Sequence, residues 1–303
     1  MERNRVLAAK RARLEQRARI MQMIRAFFIE RGYLEVETPH RVPTNAPEAY
    51  IDAVGSDCWF LHTSPELPMK RMLAAGYDRL FQICRCWRGG ERGSKHLPEF
   101  AMLEWYRGGV DYHFLMDECE ALLRALVPSG RLDWQGHSVK LQQPWERLTV
   151  AEAFTRYTET TPREALADGS FDERIAFEIE PHLGIGAPTF LIEYPAECAA
   201  LALRKRTDPT VAERFELYVA GLELANAFSE LTDPAEQRSR FAAEEKARWA
   251  AGNPPYPFPE KFIAELGRID SAAGIALGLD RLVMLLTDAA SIDEVVAFTP
   301  EDL

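Results

Sequence analysis

Residues 79–106 read RLFQICRCWRGGERGSKHLPEFAMLEWY. Two runs rich in large apolar residues, 79–88 and 99–106, flank a loop holding Gly89, Gly90 and Gly93. Both runs suit a pleated, half-buried surface, so they read as a strand and its returning partner. The loop carries Arg88, Arg92, Lys95 and His96. Cations and exposed backbone N–H groups on such a loop can wrap phosphates, although glycine-rich hairpin loops are usually structural. Upstream, Ile20, Met23, Ile24, Phe27 and Phe28 recur at helical spacing, and Gly32 ends that helix. A short strand over 33–39 follows and stops at Pro39. Downstream, the spacing predicts a helix over 112–126, a buried strand over 189–194 and strands over 214–232 with a turn near Ala220-Gly221. A polar helix over 235–250 precedes a proline-rich loop over 253–259. The segment 274–286 runs from a small-residue strand into an apolar helix. The stretch 128–185 has weak periodicity and reads as surface loops and short helices. Helices mixed with largely antiparallel strands predict an α+β fold around one sheet.

The bulk numbers bound the function classes. The chain has 303 residues, 47% hydrophobic and 27% charged, as in an ordinary globular enzyme. No apolar run approaches a bilayer span, so the expectation is a soluble protein without a membrane partner. Residues 1–19 are Arg-rich with no apolar core behind them, which excludes a secretory signal. They read as a solvated helical extension, with 20–303 as a single domain. Five cysteines without a C-x-x-C pair predict reduced thiols in the cytoplasm. Cys84 and Cys86 would share a strand face as packed thiols, while His62, His113, His137 and His182 look isolated and Trp59, Trp87 and Trp105 read as core. A formal net charge of −11 argues mildly against a large nucleic-acid footprint.

Two further regions carry conspicuous charge. Glu216, Glu223 and Glu230 recur every seven residues along the 214–232 hairpin and its continuation. With a turn near Val219-Ala220, Glu216 and Glu223 would face each other, a costly like-charge pair that a divalent cation would relieve. A solvated strand face would make the same glutamates harmless, and the residues alone leave both readings open. Arg281 lies in the first turn of an apolar helix, where an anion could meet the guanidinium and the helix N-terminus. Pairing with Asp280 is the structural alternative.

Together these regions resemble the three motifs of class II aminoacyl-tRNA synthetases. Motif 1 would be helix 20–31 with the strand ending at Thr38-Pro39, a dimer-interface element in that family; motif 2 would be Phe81–Tyr106 and motif 3 Gly274–Leu286. The specific runs are His96-x-Pro98-Glu99-Phe100 with Glu104-x-Tyr106, and Arg214-Phe-Glu216 followed by Gly221-x-Glu223-x-Ala-Asn226-x-Phe228-x-Glu230-Leu. The resemblance covers Ile20 to the C-terminus and is closest to the lysine branch. Lysyl-tRNA synthetases carry an N-terminal anticodon-binding barrel for which this chain has no room. It is therefore most similar to the stand-alone members of the branch, which attach (R)-β-lysine to a lysine of elongation factor P. Ala276, where lysyl-tRNA synthetases have glycine, and Ser64-Pro65-Glu66 point the same way.

The resemblance implies ATP and Mg²⁺ as cofactors, with lysine or (R)-β-lysine and elongation factor P as substrates. It also implies a homodimer, with tRNA an improbable partner. Arg88 would hold the α-phosphate and the substrate carboxylate, and Phe100 and Arg281 would sandwich the adenine. Gly89, Gly90, Glu91, Leu97, Leu224 and Gly278 would complete the ATP site, with Lys95 or His96 approaching the pyrophosphate. Glu216 and Glu223 would bind Mg²⁺. Glu66 would meet the amino group near the carboxylate, with Ser64 and Pro65 in the same substrate pocket and Ala276 reshaping it. Glu104, Tyr106 and Glu230 would receive the distal ammonium, with Asn226 and Phe228 shaping the wall. The chain departs from the family at Gly90, where motif 2 has a glutamate contacting the adenine amino group, and at Leu97, where it has asparagine. One lost neutral hydrogen bond is worth about 0.5–1.5 kcal/mol, roughly tenfold in ATP affinity. Two alternatives stay open: a truncated lysyl-tRNA synthetase-like enzyme charging tRNA or another acceptor, and a non-catalytic ATP- and amino-acid-binding paralogue.

Overall fold

A computed structural model describes residues Glu2–Leu303, so Met1 of the expected extension lies outside it. Its centre is an eight-stranded sheet. In chain order its strands are β1 (Leu34–Glu35), β2 (Arg79–Trp87), β3 (Glu99–Gly108), β4 (Glu146–Thr149), β5 (Thr189–Ile192), β6 (Arg214–Val219), β7 (Leu222–Ser229) and β8 (Ala272–Gly278). Their order across the sheet is β1-β2-β3-β8-β7-β6-β5-β4. Only the edge pairs β1–β2 and β4–β5 are parallel. The expected α+β class with a mostly antiparallel sheet is the observed one.

Side chains alternate across a strand, so residue parity decides which face each one joins. Phe81, Leu103, Trp105, Phe215, Leu217, Ile275 and Leu277 pack on the face covered by helices. Three helices supply that cover: α1 (Arg11–Glu30), α3 (Tyr112–Leu126) and α4 (Leu279–Leu286); α2 (Glu66–Ala74) lies elsewhere, in a second core with Tyr106. The opposite parity on the same strands reads Glu104, Tyr106, Arg214, Glu216, Asn226, Phe228, Gly274 and Ala276. Antiparallel sheets commonly leave one face open, and here that face is polar and becomes the site.

Three expectations change. The stretch 128–185 holds the edge strand β4 and a separate hairpin, Arg131–Trp134 with His137–Lys140. Strands of four residues give too few alternations to be legible. The β6–β7 turn centres on Ala220-Gly221, both at positive φ, and a bulge follows Leu217. Glu216 therefore pairs with Asn226 and Glu223 with Tyr218, so the two glutamates are not directly opposite. Finally, α1 runs unbroken across position 19. Arg17, expected on a solvated face, is buried and forms an ion pair with Asp280 Oδ1 at 2.5 Å. Asp280 Oδ2 accepts from Ala101 N–H at 2.7 Å, so this carboxylate ties α1, β3 and α4 together and is not Arg281's partner.

Breaking one member of a buried pair leaves an uncompensated charge. Asp280→Ala is expected to destabilise the fold by about 3–5 kcal/mol, read as a shift in denaturant midpoint at unchanged slope. A shift worth less than about 1 kcal/mol would place the pair among ordinary surface contacts.

Candidate active site

The open face of β3, β7 and β8 forms a cavity lined by Ser64, Glu66, Arg88, Glu104, Tyr106, Asn226, Phe228 and Ala276. Glu104 is buried and accepts from Ser64 Oγ at 3.0 Å and from the Tyr106 hydroxyl. Burial, reinforced by the neighbouring Glu66, holds its carboxyl well above the usual range. Glu230 continues the parity of Asn226 and Phe228 and is fully buried beside them. Burial pushes its carboxyl up to about 8 even against the pull of Lys70. Gly274 is required at the centre: a Cβ there would overlap the Tyr106 ring and Glu230 Oε1. The small-residue strand thus leaves room for both side chains: Tyr106 lines the cavity, whereas Glu230, expected there, does not line it and pairs with Lys70. Pro65, expected at the site, does not line the cavity; it precedes α2 as its N-cap.

Lys70 is the important omission from the sequence reading. Its ammonium pairs with Glu66 Oε1 at 2.5 Å and with Glu230, and lies 5.0 Å from the Phe228 ring centroid. Burial pulls its pKa down, but Glu230 and Glu66 outweigh that and keep it raised. The signal was present. Lys70 shares the buried side of α2 with Leu67, Met69 and Leu73, where a lysine needs an anionic partner. Glu48, also unanticipated, sits beside Arg88 with its carboxyl pushed up to about 7 by burial.

A second cavity continues from the first. Arg88, Glu91, Lys95, His96, Leu97, Phe100, Glu223, Leu224, Gly278 and Arg281 line it. Glu48, Arg88, Met102, Asn226 and Ala276 line both. Arg88 lies over Phe100, with its Cζ 5.1 Å from the ring centroid, and 3.9 Å from Glu91. Arg281 donates to the Glu223 carboxylate and backbone oxygen, each at 3.0 Å, and touches His96 Nε2 at 2.5 Å. In this arrangement the guanidinium over Phe100 is that of Arg88, and Arg281 is held by Glu223. Gly89 and Gly90 do not line the cavity. Gly89 N–H donates to Asp52 O at 2.6 Å, and Gly90 turns the loop at φ +77°. That turn brings Glu91 into the cavity wall.

Of the expected metal ligands, Glu216 lies outside both cavities. Its Oε1 takes Arg214 at 2.6 Å, and its Oε2 accepts from Tyr194 at 2.5 Å and Tyr218 at 2.6 Å. Burial raises the Glu216 carboxyl, and nearby Glu223 raises it further. Glu180, which the sequence reading missed, is pushed up to about 7 by burial and then by Glu223 and Glu216. Three acids interact here against two arginines, Arg214 on Glu216 and Arg281 on Glu223, so one carboxylate charge is in excess, a condition a divalent cation relieves.

Among the described residues, no helix is long and apolar enough to cross a membrane. The family described as tRNA synthetases class II (D, K and N) matches residues 3–302. The chain is 39% identical to the elongation factor P (R)-β-lysine ligase of Edwardsiella ictaluri, over 95% of each chain. It is 38% identical to the like-named ligase of Pectobacterium carotovorum, over 97% of each. A lysine–tRNA ligase of Magnetococcus marinus is 40% identical over 93% of this chain and 62% of that enzyme.

Proposed function

The chain belongs to the class II tRNA synthetases of the D, K and N group, and from that premise we propose that it activates (R)-β-lysine or lysine with ATP and passes the acyl group to a lysine ε-amine of elongation factor P. The observation that carries this reading is one continuous cleft with Arg88 at the junction: Glu66 and Glu104 line one end, and Lys95, His96 and Arg281 line the other together with Glu91 and Glu223. The acid end suits a diamine, because each buried ammonium needs a carboxylate. Arg88, Lys95 and Arg281 at the other end suit a triphosphate, and Phe100 offers the adenine a flat apolar face. Glu223 and Glu216 would hold Mg²⁺, which when bound neutralises phosphate charge. Arg88 orients the substrate carboxylate against the α-phosphorus, a task of positioning and charge stabilisation that needs no covalent nucleophile from the chain. Residues 20–303 make up the catalytic domain in this reading, with the preceding turns of α1 docked onto it through the Arg17–Asp280 pair. Exposed Met23, Ile29 and Leu34 on α1 and β1 support a homodimer formed through that segment.

The test is amino-acid-dependent ATP–pyrophosphate exchange with α-lysine, (R)-β-lysine and the other amino acids, followed by mass analysis of elongation factor P. Exchange confined to the lysines, with an added lysyl mass on the factor, is the expected result. Adenylate formation that never labels the factor would sink the acceptor assignment. The 40% identity to a lysine–tRNA ligase keeps tRNA charging as a second reading, and bulk tRNA belongs in the same assay.

Lysine binding is also expected to tighten from about pH 6 to about pH 8. Glu230, pushed up to about 8, must ionise before it can pair with the incoming ammonium. The sign for folding is opposite. A raised carboxyl favours the folded state while protonated, so stability without lysine falls as pH rises from the unfolded value near 4.5 toward 8. Calorimetry should show proton release on lysine binding near pH 7, and Glu230→Gln should flatten the profile.

A further inference from the structure

His62, Cys84 and Cys86 meet behind the cleft. The two cysteines lie two apart on one face of β2, with their sulfurs 3.8 Å apart. His62 comes from the segment leading into α2, which is laced to β2 where Trp87 N–H donates to His62 O at 3.0 Å. One ring nitrogen of His62 and both sulfurs lie within 4.8 Å of one another, and all three residues are buried. Met102, paired with Cys84 across β2 and β3, brings a thioether sulfur 3.9 Å from Cys86 Sγ.

Packing alone accounts for two buried thiols. The sulfur separation, ordinary for an S–H···S contact, also fits an ion, and the histidine goes beyond packing. Zinc–sulfur bonds of about 2.3 Å in a tetrahedron set two ligand sulfurs about 3.8 Å apart, the separation found here. His62 Nε2 lies 2.6 Å from the backbone oxygen of Arg85, which can only accept, so Nε2 carries the proton. That leaves Nδ1 as a lone-pair donor, and it is buried without any hydrogen-bond partner. Metal-ligating histidines are commonly oriented in this way, one nitrogen pinned to a carbonyl and the other free for the ion.

We propose that His62, Cys84 and Cys86, with Met102 completing the set, bind one thiophilic cation, Zn²⁺ or Cu⁺. Two thiolates, an imidazole and a thioether suit these soft or borderline ions. Each thiol that becomes a ligand releases its proton to solvent, and the cation's charge replaces it; no electron is transferred. The ion would lock the segment carrying Ser64 to the strand that leads into Arg88. It is separate from the Mg²⁺ expected at Glu216 and Glu223, and it does not rest on the proposed reaction.

The experiment uses the full-length protein, reduced and stripped with a chelator. It is titrated with Co²⁺, whose thiolate charge-transfer and visible bands report cysteine ligation. Zn²⁺ and Cu⁺ are then titrated against chromophoric competitors to decide between them. One equivalent per chain with a thiolate band is the expected result. His62→Gln and Cys86→Ser should each weaken binding by more than the roughly 10–100-fold that a lost outer partner costs. Cys58→Ser should change nothing, because that exposed cysteine is not in the cluster. Absence of the band in the unaltered protein overturns the proposal without recourse to any variant. So does binding that survives in Cys86→Ser or disappears in Cys58→Ser.

Discussion

Arg88→Ala is expected to lower kcat for lysine-dependent pyrophosphate exchange by roughly 100- to 1,000-fold. Arg88 is the one cation that lines both cavities, so it alone can touch the amino-acid carboxylate and the α-phosphate together. Its position is set by its neighbours. The backbone N–H donates to Pro98 O at 2.9 Å, the guanidinium lies over Phe100, and the buried Nε has no partner. Such a group is preorganised for charge that develops in the transition state, so the loss should fall on kcat more than on either KM. Arg88→Lys should recover little, because a point-like ammonium cannot make the paired, planar contacts of a guanidinium. Unchanged thermal stability in both variants would separate catalysis from folding. A loss below about tenfold would move the reactive junction elsewhere, with Arg281 the next candidate.

The same parity rule explains which parts of this site were legible. Alternate positions of a strand share a face, so the sequence alone places Glu104 with Tyr106 on β3, and Asn226 with Phe228 and Glu230 along β7 and its continuation. Contacts between elements distant in sequence carry no such rule. Lys70 reaches Glu230 from another element, and Glu48 reaches Arg88 from a loop. His62 meets Cys84 and Cys86 in the same way. The Glu216–Glu223 register failed for a local reason. The facing pair needed a turn at Val219-Ala220, but the turn is at Ala220-Gly221, as the reading of the hairpin itself had it, and a bulge shifts the pairing besides. A single-residue error of this kind suffices to change every cross-strand neighbour. Likewise Arg17 looked like one more arginine on a charged helix until its partner Asp280, from the far end of the chain, was in place.

Glu230→Gln is expected to raise the KM for lysine by roughly 100- to 4,000-fold, the counterpart of about 3–5 kcal/mol for breaking a buried ion pair. Charge balance sets the size of this loss. Glu66 and Glu230 hold Lys70 between them, and Glu104, close enough to Glu66 to feel its charge, has no ion-pair partner, so the fully ionised cluster would carry two formal negative charges in excess. Burial resists that state and raises Glu104 and Glu230. The two ammonium groups of a diamine supply the missing charge, which is how the cavity can select lysine-like substrates over neutral amino acids of similar length. Glutamine keeps the shape and removes one charge, leaving Lys70 to compete with the substrate for Glu66. ATP affinity should hardly change, since Glu230 does not line the nucleotide cavity. Lys70→Met tests the same balance from the other side. With its only cation gone, the cluster should protonate further in the absence of substrate, and lysine binding should release more protons than in the unaltered protein. Equal proton release in both proteins, or a Glu230→Gln enzyme with an ordinary KM, would mean that the distal ammonium is received by Glu104 and Tyr106 alone.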